Sequence, residues 1–289
     1  MNRRKSIETL IVSGLGLGVV DGLDGCNEYT PVNDSAIKHS VCKWCYADIP
    51  LEQFAEHCQD LQIDSIELLN PDEWDIVLNK GLSCALSNGS LLGITKGFND
   101  PALHGQLKND YMPIIASAAD KGIQQIIAFS GNRNGLSDDI GLDNCAAGLE
   151  SIVKEAERQG ITIVMELLNS KVDHHDYMCD HSDWGVRLVE KLGSPNFKLL
   201  YDIYHMQIME GDVIRTITEH QDYISHFHTG GVPGRNEIDQ TQELNYSFIM
   251  QEIKKTGYKG FIGQEFIPSG ATQEEQLVAL KEAVRICDV

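Results

Sequence analysis

From residue 36 onward, short β-branched runs alternate with longer stretches whose apolar residues recur every three to four positions. That helical period predicts helices over 51–61, 72–80, 103–121, 139–159, 182–192, 211–221, 246–256 and 273–286. The runs between them predict strands near 37–42, 65–69, 83–88, 124–130, 161–167, 197–203, 224–229 and 260–266. Strict strand–helix alternation of this kind fits a (β/α)8 TIM barrel, an α/β fold, better than an open sheet. Punctuation agrees: Pro50 precedes Leu51-Glu52, Thr272 precedes Glu274 and Glu275, and glycines at 81, 122, 160, 257 and 260 stand where helices should give way to strands.

Four strand-like runs in the second half end on residues able to bind a divalent metal: Ile-Thr-Ile-Val-Met-Glu166, Lys-Leu-Leu-Tyr-Asp202, Ile-Ser-His-Phe-His228 and Phe-Ile-Gly-Gln-Glu265. They are separated by 36, 26 and 37 residues, each about one strand, one helix and two loops. On parallel neighbouring strands all four side chains would meet at one mouth. Three carboxylates and an imidazole so crowded repel one another when ionised unless a cation sits between them. The alternative, in which each is satisfied by a helix N-terminus or a lysine, weakens when all four share the barrel period. Carboxylate oxygens suit Mg2+ or Mn2+, and the imidazole shifts the balance toward Mn2+ or a later metal.

Composition narrows the partners. The chain has 289 residues, enough for one barrel, with 43 acidic against 23 basic residues and a formal charge of -20. Such a field repels nucleic acid and anionic lipid, and an anionic substrate would need local cations. The cysteines at 26, 42, 45, 58, 84, 145, 179 and 287 are scattered, as expected of reduced thiols rather than a disulfide scaffold. Cys42-Lys-Trp-Cys45 has redox or zinc spacing but no matching second pair. Residues 1–26 differ from the rest: Arg3-Arg4-Lys5 precedes an apolar, glycine-rich stretch, and Leu23-Asp24-Gly25-Cys26 resembles a lipoprotein cleavage box. This reads as an export signal of twin-arginine type, leaving a single barrel domain at 27–289 that is periplasmic or lipid-anchored. A cytoplasmic tail is the alternative, and the chain leaves oligomeric state open, a homo-oligomer included.

Other polar residues belong to the same mouth. His205 lies just beyond Asp202, read as a continuation of its strand, and Asn169 follows Glu166 in the same way. Arg235 sits in Gly230-Gly-Val-Pro-Gly-Arg235-Asn-Glu237, a loop shaped by glycine and proline, where its planar fork suits a substrate carboxylate. Trp44 and Trp74 stand in the first two strand-to-helix regions, as pocket walls or as ordinary packing. His174, His175 and His181 fall in a polar loop, read as solvated and lid-like rather than as a second metal site. A Gly-x-Ser-x-Gly elbow, a phosphate-cradling Gly-Lys-Ser/Thr loop and a Gly-x-Gly-x-x-Gly after a strand are all missing from the sequence.

Together these residues resemble the hydroxypyruvate isomerase family within the xylose isomerase-like barrels. The resemblance is densest in Tyr201-Asp-Ile-Tyr-His-Met-Gln-Ile-Met-Glu-Gly211, Val232-Pro-Gly-Arg-Asn-Glu237, Glu243-Leu-Asn-Tyr246 and Gly257-Tyr-Lys-Gly-Phe-Ile-Gly-Gln-Glu-Phe266. It implies a metal-dependent aldose–ketose isomerase working through an enediolate, with Glu166 and Glu265 as acid/base pair and, with Asp202 and His228, as metal ligands. His205, Arg235 and Asn169 would contact substrate, a small sugar or hydroxy-keto acid. The family pattern carries glutamine where this chain has His228 and proline where it has Leu167. A histidine at 228 looks more like the ketose 3-epimerase branch, so an epimerase or an inosose isomerase or dehydratase is the second expectation, and an exported, non-catalytic sugar-binding barrel the third.

Overall fold

The computed structural model describes residues 37–289, so the export signal expected over 1–26 lies outside the described residues. Parallel strands β1 (Lys38–Cys42), β2 (Ser65–Glu67), β3 (Gln125–Ala128), β4 (Thr162–Glu166), β5 (Phe197–Asp202), β6 (Ile224–Thr229) and β7 (Phe261–Gln264) pair in the order β2-β1-β7-β6-β5-β4-β3. The run expected as a strand at 83–88 fills the remaining position between β2 and β3 with isolated parallel bridges: Ser65 to Ser83, Leu69 to Ser87, and Ser87 to Ile126. Its ladder is incomplete because side chains take over some of the bonding. The Ala85 amide donates to Ser65 Oγ at 2.8 Å, and Ser87 Oγ donates to the Asn88 carbonyl at 2.8 Å.

Helices α1 (Leu51–Asp60), α2 (Trp74–Leu78), α3 (His104–Lys121), α4 (Asp138–Gln159) and α5 (Ser182–Leu192) follow the expected segments. So do α7 (Val213–His220), α8 (Tyr246–Lys255) and α9 (Gln273–Cys287), with α6 (Ile203–Met209) as an addition. Gly122 and Gly160 end α3 and α4 in left-handed conformations, φ 75° and 72°, which only glycine adopts without cost. Thr272 and Glu275 close a reciprocal capping box at the start of α9.

Helix α6 corrects the reading of 203–205 as strand. Ile203 and Tyr204 have strand-forming side chains, but Asp202 Oδ1 accepts the His205 amide at 3.1 Å and caps a helix instead. The cap folds His205 back over Asp202 rather than carrying it onward. Five of the seven α6 residues are buried, so packing holds a helix too short to persist alone.

Two apolar regions flank the barrel wall. The larger lies between sheet and helices; the smaller, Leu86, Ile127, Val164 and Leu200, stacks inside the barrel from neighbouring strand positions. Leu200→Ala should therefore leave a cavity that the closed barrel cannot collapse, costing about 2–5 kcal/mol in denaturant unfolding. A loss near zero would show that this layer does not carry stability.

Candidate metal centre and active site

Strand register assembles the site. A one-residue shift in the pairing of β5 with β6, between Leu199 and Leu200, sets Asp202 opposite His228, and His228 in turn pairs with Gly263 on β7. Glu166 ends β4, and Glu265 follows β7 directly. One donor atom from each of Glu166, Asp202, His228 and Glu265 lies within 4.8 Å of the others, and all four residues are buried. The four predicted ligands therefore converge.

Arg235 crosses this mouth. Its Nη2 stands 2.5 Å from Glu265 Oε2 and 3.3 Å from Asp202 Oδ2, and its guanidinium lies over the rings of Trp44 and Tyr204 at 5.2 and 5.4 Å. The preceding loop is built for this. Arg235 takes φ 59°, its amide bonds the Gly231 carbonyl at 2.8 Å, and any side chain at Gly231 would strike the Glu237 carbonyl. Trp44 Nε1 donates to Glu265 Oε1 at 2.8 Å, so Trp44 is a mouth residue, whereas Trp74 is buried core.

Protein charges alone split the carboxylates. Burial pushes Glu166 up and takes Asp202 to about 8. Burial acts the same way on Glu265, but Arg235 and His228 outweigh it and hold that carboxyl well below the usual range. Burial also opposes a charge on His228, yet the neighbouring Glu265 carboxylate raises the ring well above its ordinary value.

The mouth fits a divalent cation. Glu166 Oε1 and His228 Nδ1 are buried without a hydrogen bond, 3.5 Å apart, and His228 Nδ1 stands 2.8 Å from Glu265 Oε2. Buried polar atoms that face one another without a hydrogen bond are what a metal ion satisfies. The donor set, carboxylates with one imidazole, has the chemistry of a divalent-cation site.

The tautomer of His205 follows from its neighbour. Asn169 Oδ1 accepts the amides of Val172 and Asp173 at 3.0 and 2.9 Å, which orients its amide and leaves Nδ2 to meet His205 Nδ1 at 2.6 Å. Nδ1 must then accept, so Nε2 carries the proton and faces the mouth, 3.6 Å from Asp202 Oδ2. Burial, helped by Arg235, holds the ring well below its ordinary value and therefore neutral. Asn169 itself is fully buried behind His205.

Sequence reasoning missed Glu67 and His226. Glu67 Oε1 meets His228 Nε2 at 2.5 Å and His226 Nε2 at 3.0 Å, all three residues being buried. Burial opposes its charge, but the two histidines hold Glu67 well below the usual carboxylate range. The alternation His226-Phe-His228, which turns both rings to one strand face, was the available signal. The 173–183 loop is only half solvated: Tyr177 to Asp180 are buried, and Arg133 grips Asp180 through Nη1 and Nη2 at 3.1 and 2.8 Å. His174 packs 5.2 Å from the His205 ring, and His175 and His181 are exposed. The cysteines among the described residues are free, and all but Cys45 are buried.

Fold and site together define a parallel α/β barrel with a polar centre at the carboxyl ends of its strands. A sequence profile of the xylose isomerase-like TIM barrel family matches residues 46–284, and the chain belongs to that family. It is 36% identical over 117 residues to a 2-oxo-tetronate isomerase of Cupriavidus necator, covering 40% of this chain and 44% of that protein. It is 34% identical over 110 residues to a hydroxypyruvate isomerase of Escherichia coli, covering 37% and 42%. The matched stretch thus spans less than half the length of these curated relatives. Among solved structures, an AP endonuclease of family 2 from Brucella melitensis superposes with a TM-score of 0.75 at 23% identity, covering 83% of this chain and 96% of that one, a likeness of fold.

The buried neutral His205 makes a pH prediction. Its folded value lies below the unfolded one, near 6.5, so the unfolded chain takes up the extra proton as pH falls and the native state loses stability below that pH. Urea unfolding of wild type from pH 7 to 5 should therefore decline more steeply than that of His205→Gln, by up to about 1.4 kcal/mol per pH unit. Parallel curves would mean that His205 titrates normally.

Proposed function

We propose that the protein is a metal-dependent isomerase of a small hydroxy-keto acid, converting hydroxypyruvate to tartronate semialdehyde through an enediolate. The observation that carries this reading is the meeting of Glu166, Asp202, His228 and Glu265 in one buried mouth shared with His205 and Arg235. Those four residues would hold a divalent cation, Mn2+ or Mg2+ by donor chemistry. When bound, such an ion supplies positive charge beside the substrate oxygens where negative charge develops.

The chain's own residues divide the remaining work. Glu166, with one oxygen free of hydrogen bonds and its proton affinity raised by burial, is the more basic of the two glutamates and carries the proton between adjacent carbons. Glu265 is oriented by Arg235 and Trp44 at some cost in basicity and completes the pair. His205 presents a fixed Nε2–H to a substrate oxygen, and Asn169 acts by setting that tautomer. Arg235 keeps Nη1 without a partner among the described residues, so it can take a substrate carboxylate while Nη2 stays on Asp202 and Glu265.

His228 supports a second reading, a ketose 3-epimerase, in which the two glutamates serve opposite faces of one carbon. The isomerase names of the two sequence relatives support the first. The readings separate when protein loaded with Mn2+ or Mg2+ is offered hydroxypyruvate, ketoses and inososes in deuterium oxide. Deuterium should enter the product from hydroxypyruvate, chelation should stop it, and Glu166→Gln or Glu265→Gln should each cut turnover about 100-fold or more. Exchange with ketoses alone would favour the epimerase, and no exchange would sink both enzymes and leave a sugar-binding barrel. Full metal content and turnover in Glu265→Gln would remove the glutamate pair.

A further inference from the structure

A second polar cluster lies inside the barrel, on the far side of the His228 ring from the mouth. Glu67 reaches inward from the end of β2, and His226 and His228 point inward from alternate positions of β6. One oxygen, Glu67 Oε1, receives both rings at their Nε2 atoms, and Cys42 Sγ approaches it at 3.5 Å. Nothing in the proton transfers above calls for a buried carboxylate here.

We infer that Glu67 is the positioning residue of the metal centre, holding His228 with Nε2 protonated and Nδ1 free for a divalent cation. The inference rests on the metal-dependent reading above and extends it to a residue outside the mouth. An ionised carboxylate only accepts hydrogen bonds, so each ring must donate from Nε2. A bound cation would take the place of the proton on Nδ1, the atom that faces Glu166 and Glu265. His226 supplies the other donor, which pins Oε1 from the opposite side; the two rings stand 5.1 Å apart at 85°. A carboxylate behind a ligating imidazole fixes its orientation and raises its basicity.

Gly263 is independent evidence that the fold keeps this space open. A Cβ there would lie 2.6 Å from Glu67 Oε1 and 2.7 Å from His228 Cδ2, so any side chain on that strand position would drive the pair apart. The register that pairs His228 with Gly263 puts the smallest residue beside the contact.

The rival explanation is a second metal held by Glu67, His226 and His228. Two ligands on one ion at bond lengths near 2.1 Å stand about 3 Å or more apart. The 2.5 Å contact between Glu67 and His228 is closer than that and is a direct hydrogen bond.

The test titrates full-length wild type, Glu67→Gln, Glu67→Asp and Gly263→Ala with Zn2+, and records 15N spectra of the histidine-labelled, Zn2+-loaded proteins. Wild type should bind one ion, with His228 metal-bound at Nδ1 and protonated at Nε2. Glu67→Gln replaces an obligate acceptor with a group that also donates. It should keep one equivalent, bind it about 10- to 100-fold more weakly and show a disturbed Nε2–H signal, and Glu67→Asp should recover part of the loss. Gly263→Ala should reproduce the weakening from another strand, and it carries the comparison if Glu67→Gln does not fold. Unchanged affinity and an unchanged His228 spectrum in Glu67→Gln would overturn the inference. So would the loss of one of two equivalents, which would make Glu67 a ligand. Absence of Zn2+ binding by wild type would instead overturn the metal reading itself.

Discussion

Everything at the mouth answers to one constraint: three carboxylates and an imidazole are buried with donor atoms within 4.8 Å of one another. Removing a single charge from water costs several kcal/mol, and like charges at this range add to that. The surroundings therefore supply compensation from several elements. Arg235 brings a cation from the loop after β6, Trp44 brings a ring N–H from the end of β1, and Asp202 spends one oxygen on the cap of α6. A barrel without this crowding would have no need for an arginine at φ 59° or a histidine locked by a buried asparagine.

The convergence of Glu166, Asp202, His228 and Glu265 was legible because strand ends at a barrel period are a property of spacing, which survives without coordinates. Direction is less legible. Asp202-Ile-Tyr-His205 reads as strand by the bulk of its apolar side chains, and only the Asp202 cap and the packing of α6 against the barrel decide for the helix. Glu67 and His226 escaped notice for a related reason. A charged residue inside a strand has meaning only when the facing strand is known, and their partnership joins β2 to β6 across more than 150 residues of chain. The run at 83–88 was placed correctly but lacks the regularity of a strand, because Ser65 and Ser87 hydroxyls take bonds a ladder would otherwise make.

The mouth is unequal from side to side. Glu265 is gripped by Arg235, Trp44 and the approach of His228, while Glu166 keeps an oxygen without a hydrogen bond. Two residues of one type thus differ in proton affinity because of what surrounds them, the usual way in which a pair of carboxylates comes to take different parts in proton transfer.

The contact behind His228 also bears on what residue 228 has to be. It needs a lone pair toward the carboxylates and an N–H toward Glu67, a short distance apart on one rigid group. Imidazole meets that demand, and so does a carboxamide, with its oxygen turned to the mouth and its nitrogen to Glu67. Histidine here and the glutamine of the hydroxypyruvate isomerase pattern are then two solutions to the same two-sided requirement. The histidine that set this chain apart answers to the anchor beneath the site as well as to the molecule that enters above it.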